Sequence, residues 1–165
     1  VDSKTLSGDV TIANVMGDSF HMQSTSGDVR AEDSRISQFS LQSISGDVRA
    51  SRIKSSIINA SSKSGDVSAT AESKEWRAST ISGEVSITAE CDAMIKVSTI
   101  SGDVRLQLQN HGNGYEANIR TVSGTRSLTF EGSNSNLYRN GSNVFGNGGC
   151  KIEAITTSGD IRIRG

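Results

Sequence analysis

Proline is absent from the 165 residues, and aromatic residues make up only 4% of them. A compact domain of this size ordinarily draws much of its burial from Phe, Tyr, Trp and Leu, so a conventional large-side-chain core is excluded. Histidine occurs twice, as His21 and His111. Neither stands in a metal-ligand spacing. Cysteine also occurs twice, as Cys91 and Cys150. Two are too few for a disulfide scaffold, and the pair is compatible with one disulfide, two thiols or no role. An excess of one charge is missing too: 17 basic and 18 acidic residues leave a net charge of −1. That removes the basic footprint of a nucleic-acid binder and the Lys/Arg cluster of a membrane surface. No apolar run approaches the ~18 residues of a transmembrane helix, and no signal-peptide pattern is found. The chain opens on strand-like sequence at Val1, as a mature form or an excised domain would.

The signatures of catalysis are lacking as well. There is no Gly-x-Ser-x-Gly elbow and no His-Glu-x-x-His pair. The acidic residues are dispersed rather than paired. Left-handed acyltransferase solenoids use 18-residue rungs and a catalytic histidine, and pectin-lyase-type helices use longer rungs with an Asp/Arg/Lys cluster; neither pattern fits. The expectation is a non-enzymatic protein with no cofactor.

What is present is glycine, 17 residues of it, and serine in abundance. Such a composition often marks disorder, but here it is ordered in a repeat. Ser-Gly-Asp-Val begins at Ser7, Ser26, Ser45, Ser64 and Ser101, with the variants Ser82-Gly83-Glu84-Val85 and Ser158-Gly159-Asp160-Ile161 and the degenerate copy Ser123-Gly124-Thr125-Arg126. From Gly8 the glycine spacings are 19, 19, 19, 18, 19, 22 and 35.

Laid one on the next, the rungs align in columns. Val10, Val29, Val48, Val67, Val85, Val104 and Ile161 form the first, and Ile12, Ala31, Ala50, Ala69, Ile87, Leu106, Leu128 and Ile163 lie two residues on. A second pair runs through Phe20, Phe39, Ile58, Trp76, Ile95, Ala117 and Ile152, then Met22, Leu41, Ala60, Ala78, Val97, Ile119 and Ala154. Spacing by two is the strand period, so each rung holds at least two short strands with one inward face. A 19-residue unit cannot bury that face alone, but stacked copies share a continuous core. The expected fold is all-β: a right-handed parallel β-solenoid of about eight rungs, roughly 40 Å long at ~4.8 Å per rung. It is expected to be one domain over 1–165, with regular rungs over 1–122 and irregular, long-insert rungs over 123–165.

Inward parity continues from the Met column through Ser24, Ser43, Ser62, Thr80, Thr99, Thr121 and Thr156 to the Ser of Ser-Gly-Asp, then slips by one before the valine. A slip requires a bend, and Gly supplies the backbone freedom. Gly27, Asp28, Gly46, Asp47, Gly65, Asp66, Gly102 and Asp103 are therefore expected to form a structural turn ladder, the Asp binding nearby backbone N–H groups. The alternative is a Ca²⁺ site on the stacked carboxylates. Against it stand one carboxylate per rung and the neutralising Arg30, Arg49 and Arg105. The hydroxyl columns point inward, unlike the outward arrays of ice-binding solenoids.

Regularity ends after Gly102. The rung from Ser101 is three residues longer, and the rung from Ser123 spans 35 residues. The stretch 132–149 reads as an extended loop or hairpin with turns at Asn140-Gly141 and Asn147-Gly148. It is either a cap on the open edge or a partner surface with Tyr138, Arg139 and Phe145 as contacts. Trp76 falls in a core column and reads as packing.

The recurring [Ser/Thr]-x-Ser-Gly-Asp-Val, closed by Gly-Asn-Gly-Gly-x-x-Ile-x-Ala-x-Thr-x-Ser-Gly-Asp-Ile-x-Ile, resembles the bacterial adhesin-type domain of unknown function. This β-strand-repeat family includes LiaX-like envelope-stress proteins. The likeness runs from Ser7 to Ile163. It implies a right-handed parallel solenoid and a place in the cell envelope or on the cell surface, and it carries over no catalytic residue. The resulting expectation is an envelope interaction module that binds a protein, peptide or wall polymer, with no nucleic acid and no membrane insertion by this segment. The alternative is a scaffold that self-assembles into homo-oligomers through solenoid edges.

Overall fold

The computed structural model describes residues 1–90, 93–109, 114–130, 133–136, 141–145 and 149–165; for 130, 133–136, 141, 143 and 145 it describes the backbone alone. Sixteen strands form one sheet. They are β1 (Asp2–Ser7), β2 (Val10–Ala13), β3 (Met16–Ser26), β4 (Val29–Glu32), β5 (Arg35–Ser45), β6 (Val48–Ser61), β7 (Val67–Ser82) and β8 (Val85–Glu90). There follow β9 (Met94–Ser101), β10 (Val104–Gln109), β11 (Tyr115–Ser123), β12 (Arg126–Phe130), β13 (Ser133–Asn136), β14 (Gly141–Phe145), β15 (Cys150–Ser158) and β16 (Ile161–Arg164).

The rungs pair in parallel and in the register of the sequence columns, so the chain is a parallel β-solenoid. Val10 faces Val29, Val29 faces Val48, Val48 faces Val67, and Val67 faces Val85. This valine ladder runs β2-β4-β6-β7-β8-β10. A second ladder carries the Phe column: Phe20, Phe39, Ile58, Trp76 and Ile95 stand opposite one another in turn. It runs β1-β3-β5-β6-β7-β9. Six turns thus stack in chain order. Both inward columns are closed to solvent, with Val29, Val48, Val67, Val85, Phe39, Ile58, Trp76 and Ile95 all at 0% exposure. Each fully buried aliphatic side chain contributes about 1.5–3 kcal/mol over an exposed one. Most core residues are Ala, Val or Ile, because each level leaves little depth between its ladders.

Between the ladders, a third short face was not legible in the columns. Met16 pairs with Arg35, and Arg35 with Lys54. The corner before it is made by Asn14, Asp33 and Arg52, at φ 57°, 45° and 53°. Left-handed backbone is uncommon outside glycine, and here it recurs once per 19 residues. The 18-residue spacing to Val85 explains where it stops. Ser51 pairs with Thr70 but Ile53 with Ala71, so Arg52 is the extra residue of its rung and has no counterpart in the next. Without that residue, β7 runs unbroken from Val67 to Ser82.

At the C-terminal end the stacking leaves chain order. β16 pairs with β10 on one side and β12 on the other. β15 likewise pairs with both β9 and β11. The last turn in sequence, 150–164, is therefore inserted between turn 94–109 and turn 115–130. The 35-residue spacing is the path out over the end and back. On that path β13 pairs antiparallel with β12, and β14 antiparallel with β11. The expected loop thus contains strands, and they pair with different ladders rather than with each other.

Candidate functional site

The Ser-Gly-Asp corners connect the two ladders. Gly27, Gly46, Gly65 and Gly102 sit at φ 145°, 155°, 150° and 157°. A Cβ on any of them would collide with the carbonyl of the glycine on the neighbouring turn, so stacking as well as conformation demands glycine. The buried hydroxyls bond along the stack. Ser24 Oγ donates to Gly8 O at 3.0 Å, Ser43 Oγ to Gly27 O at 3.0 Å, and Ser62 Oγ to Gly46 O at 2.9 Å. The expectation that the Ser of Ser-Gly-Asp also points inward is overturned: Ser26, Ser45, Ser64, Ser82 and Ser101 are exposed. The chain turns at that residue, so strand alternation no longer applies to it.

The carboxylates do not merely serve their own turn. Asp28 N–H donates to Asp9 Oδ1 at 2.8 Å, Asp47 N–H to Asp28 Oδ1 at 2.9 Å, and Asp66 N–H to Asp47 Oδ1 at 2.9 Å. Glu84 N–H completes the series on Asp66 Oδ1 at 2.8 Å, and Asp160 N–H donates to Asp103 Oδ1 at 2.9 Å. The other carboxylate oxygen meets arginine. Arg49 spans Asp28 and Asp47 at 3.0 and 2.6 Å, Arg105 spans Glu84 and Asp103, and Arg162 spans Asp103 and Asp160 at 3.4 and 2.7 Å. Arg30 departs from its expected role, lying along its own strand with Nε 4.0 Å from Glu32. These pairs are solvent-exposed, and each contributes at most about 1 kcal/mol. Among the described residues, no group of three or more His, Cys, Asp or Glu side chains is placed to hold a metal ion. The one resolved shift in this column is at Asp160, whose carboxyl is held below the ordinary 3.8 by the Thr125 backbone N–H and further by Arg162.

The other named residues fall as follows. Trp76 is fully buried in the core. Cys150 is buried, with Sγ donating to Ala93 O at 3.5 Å. Cys91, His111, Tyr138 and Arg139 lie outside the described residues, and Phe145 is described only by its backbone pairing with Tyr115.

The sequence reading passed over the outer face of the Phe ladder, treating it as solvated. It is sculpted. One groove of about 550 Å³ is lined by Ser40, Asn59, Arg77, Lys96 and Glu153 among others. A second, of about 520 Å³, continues past Gln42, Ser61 and Ser79 to Ile44, Ile81 and Ile100. Along the first, Arg77 pairs with Glu75 at 2.6 Å and Lys96 with Glu153 at 3.4 Å. Along the second, Ile44, Ile81 and Ile100 are 39%, 46% and 54% exposed. An apolar column one residue past the buried hydroxyls was the available signal: Leu6, Ile44, Ile81, Ile100 and Val122. The face therefore offers amides and hydroxyls in the middle, paired charges along one side and aliphatic groups along the other.

Comparison with curated proteins and with solved structures finds no match. The family comparison does: the profile described as Toastrack DUF4097 matches residues 1–164. The chain, a non-enzymatic parallel β-solenoid by its residues and its fold, belongs to the Toastrack DUF4097 family.

Proposed function

We propose that the chain is an interaction module of a bacterial cell envelope or surface, and that the outer face of its Phe ladder receives an extended ligand, a peptide or a wall polymer. The observation that carries this is the pair of continuous grooves along β5, β6, β7 and β9, where Gln42, Ser61, Ser79 and Ser98 line both. Regularly spaced amides and hydroxyls suit a ligand that is itself extended and repetitive, and the flanking aliphatic column adds apolar contact. The insert residues Tyr138, Arg139 and Phe145 form the competing contact set. No helix among the described residues is long and apolar enough to cross a membrane.

The test is sedimentation of the purified chain with isolated cell-wall polymer, and fluorescence anisotropy with extended peptides. The double variant Arg77→Ala/Lys96→Ala is expected to melt as the parent does and to lose binding. Binding lost instead in Tyr138→Ala/Phe145→Ala would move the site to the insert. Protease shaving of intact native cells, with an antibody to this domain, tests the location: digestion while a cytosolic control survives is expected, and protection until lysis overturns it.

A further inference from the structure

The first turn is a half-finished copy of every later junction. In the later turns, the buried hydroxyl donates to a glycine carbonyl on the preceding level, and the Asp N–H donates to a carboxylate there. Thr5 stands in the hydroxyl column, opposite Ser24. With no glycine carbonyl before it, its Oγ1 turns to Ser7 O at 3.1 Å. Asp9 gives its carboxylate to Asp28, and among the described residues no carboxylate stands before its own N–H. A Cβ on Gly8 would meet nothing within 4 Å. The core is open at the same place: Val10, Ile12 and Phe20 are only partly buried, whereas Val29, Ala31 and Phe39 on the next level are at 0%. Leu6 and Met16 stand 82% and 77% exposed beside them. β1 and β2 each pair on one side only.

We infer that this end is an acceptor site for one further solenoid turn carried by another polypeptide, with a Ser-Gly-Asp corner and an apolar-alternating strand on each side of it. The polarity of the groups selects that occupant. Thr5 Oγ1–H and Asp9 N–H are donors, so the arriving turn must present a glycine carbonyl and an Asp carboxylate in parallel register. A second copy meeting the site with its own first turn would set donors against donors. A second copy meeting it with the far end has no carboxylate to offer, because Thr125 holds the Asp position there, and β13 and β14 already occupy the outer edges of β12 and β11. Main-chain pairing along β1 and β2 supplies affinity, and the two columns supply register.

The site is separate from the grooves, and its test does not depend on them. The probe is a fluorescent synthetic peptide copying residues 35–51, which contains one strand of the Phe ladder, Gly46, Asp47 and the following valine-ladder strand. Saturable anisotropy is expected, with hydrogen-exchange protection of residues 2–13 and none at 115–130. The Asp47→Ala peptide, or Thr5→Val in the protein, is expected to weaken binding about tenfold, the size of one lost hydrogen bond in this setting. Absence of saturable binding, equal binding of the Asp47→Ala peptide, or protection elsewhere on the solenoid would each overturn the inference. So would concentration-dependent self-association of the chain that protects residues 2–13, since the occupant would then be a second copy.

Discussion

Ser43 Oγ lies 3.0 Å from the carbonyl oxygen of Gly27, one turn away, and donates to it. The same bond recurs at Ser24, Ser62, Thr80, Thr156 and Thr121. At Thr99 it is missing: the hydroxyl is buried and has no hydrogen-bond partner among the described residues. One column therefore contains its own control. Ser43→Ala leaves the Gly27 carbonyl without its donor and is expected to cost about 1–2 kcal/mol, whereas Thr99→Val removes a hydroxyl that bonds nothing and is expected to be neutral or stabilising. Urea denaturation of the two variants decides it; equal losses would contradict the assignment.

Glycine at the corner is tested by position. Gly46→Ala places a methyl group against the Gly27 carbonyl at φ 155°, with fixed backbone on the other side. It is expected to cost about 3 kcal/mol or more, as strain and overpacking add. Gly8→Ala has the strained φ of 117° but open space, and about 1 kcal/mol is expected from backbone strain alone. Thermal melts that rank the two in the opposite order would remove the stacking argument.

Deletion of residues 150–165 distinguishes inserted from sequential stacking. Because β15 and β16 lie between other strands, their removal strips a partner from four strands at once. Loss of the cooperative melt and of hydrogen-exchange protection in β9–β12 is expected. A truncated chain that still melts cooperatively, a few degrees lower, would be the behaviour of a terminal turn.

The acid limb of stability is expected to depend on Asp160. Its folded carboxyl titrates below the ordinary 3.8, chiefly because the Thr125 N–H bonds the charged form. A depressed folded pKa means that the contribution is whole above the unfolded value and is lost as pH falls through the folded one. Asp160→Asn keeps an oxygen for the Thr125 N–H but cannot titrate. Melts from pH 7 down to pH 2.5 should therefore fall less steeply in the variant; parallel curves would exclude the residue.

Much of the fold was legible in the residues. The Val and Phe columns read from 19-residue spacing match the register pair for pair, because a repeat that short has nowhere to bury its apolar face except on its own copies. The turn glycines and aspartates could be located for the same reason. The outward grooves could not, since burial on a sheet's outer face depends on how neighbouring side chains at the same position crowd one another across levels. The Asn14, Asp33 and Arg52 corner was hidden as well, because three unlike side chains share one backbone conformation.

Which turn lies last was decided only in three dimensions. Local pattern fixes the pairing register but not the identity of the neighbour, since any Ser-Gly-Asp turn can stack on any other. A trace of the answer does stand in the sequence. An inner turn must hand a carboxylate to the next; Thr125 has none to hand on, and its turn is the one with no parallel turn beyond it. The sequence by itself determined a stack of like turns held by hydroxyl, glycine and carboxylate columns. The tertiary structure decided their order and left one end closed by antiparallel strands and the other open, because only the assembled stack determines which donors and edges are left without a neighbour.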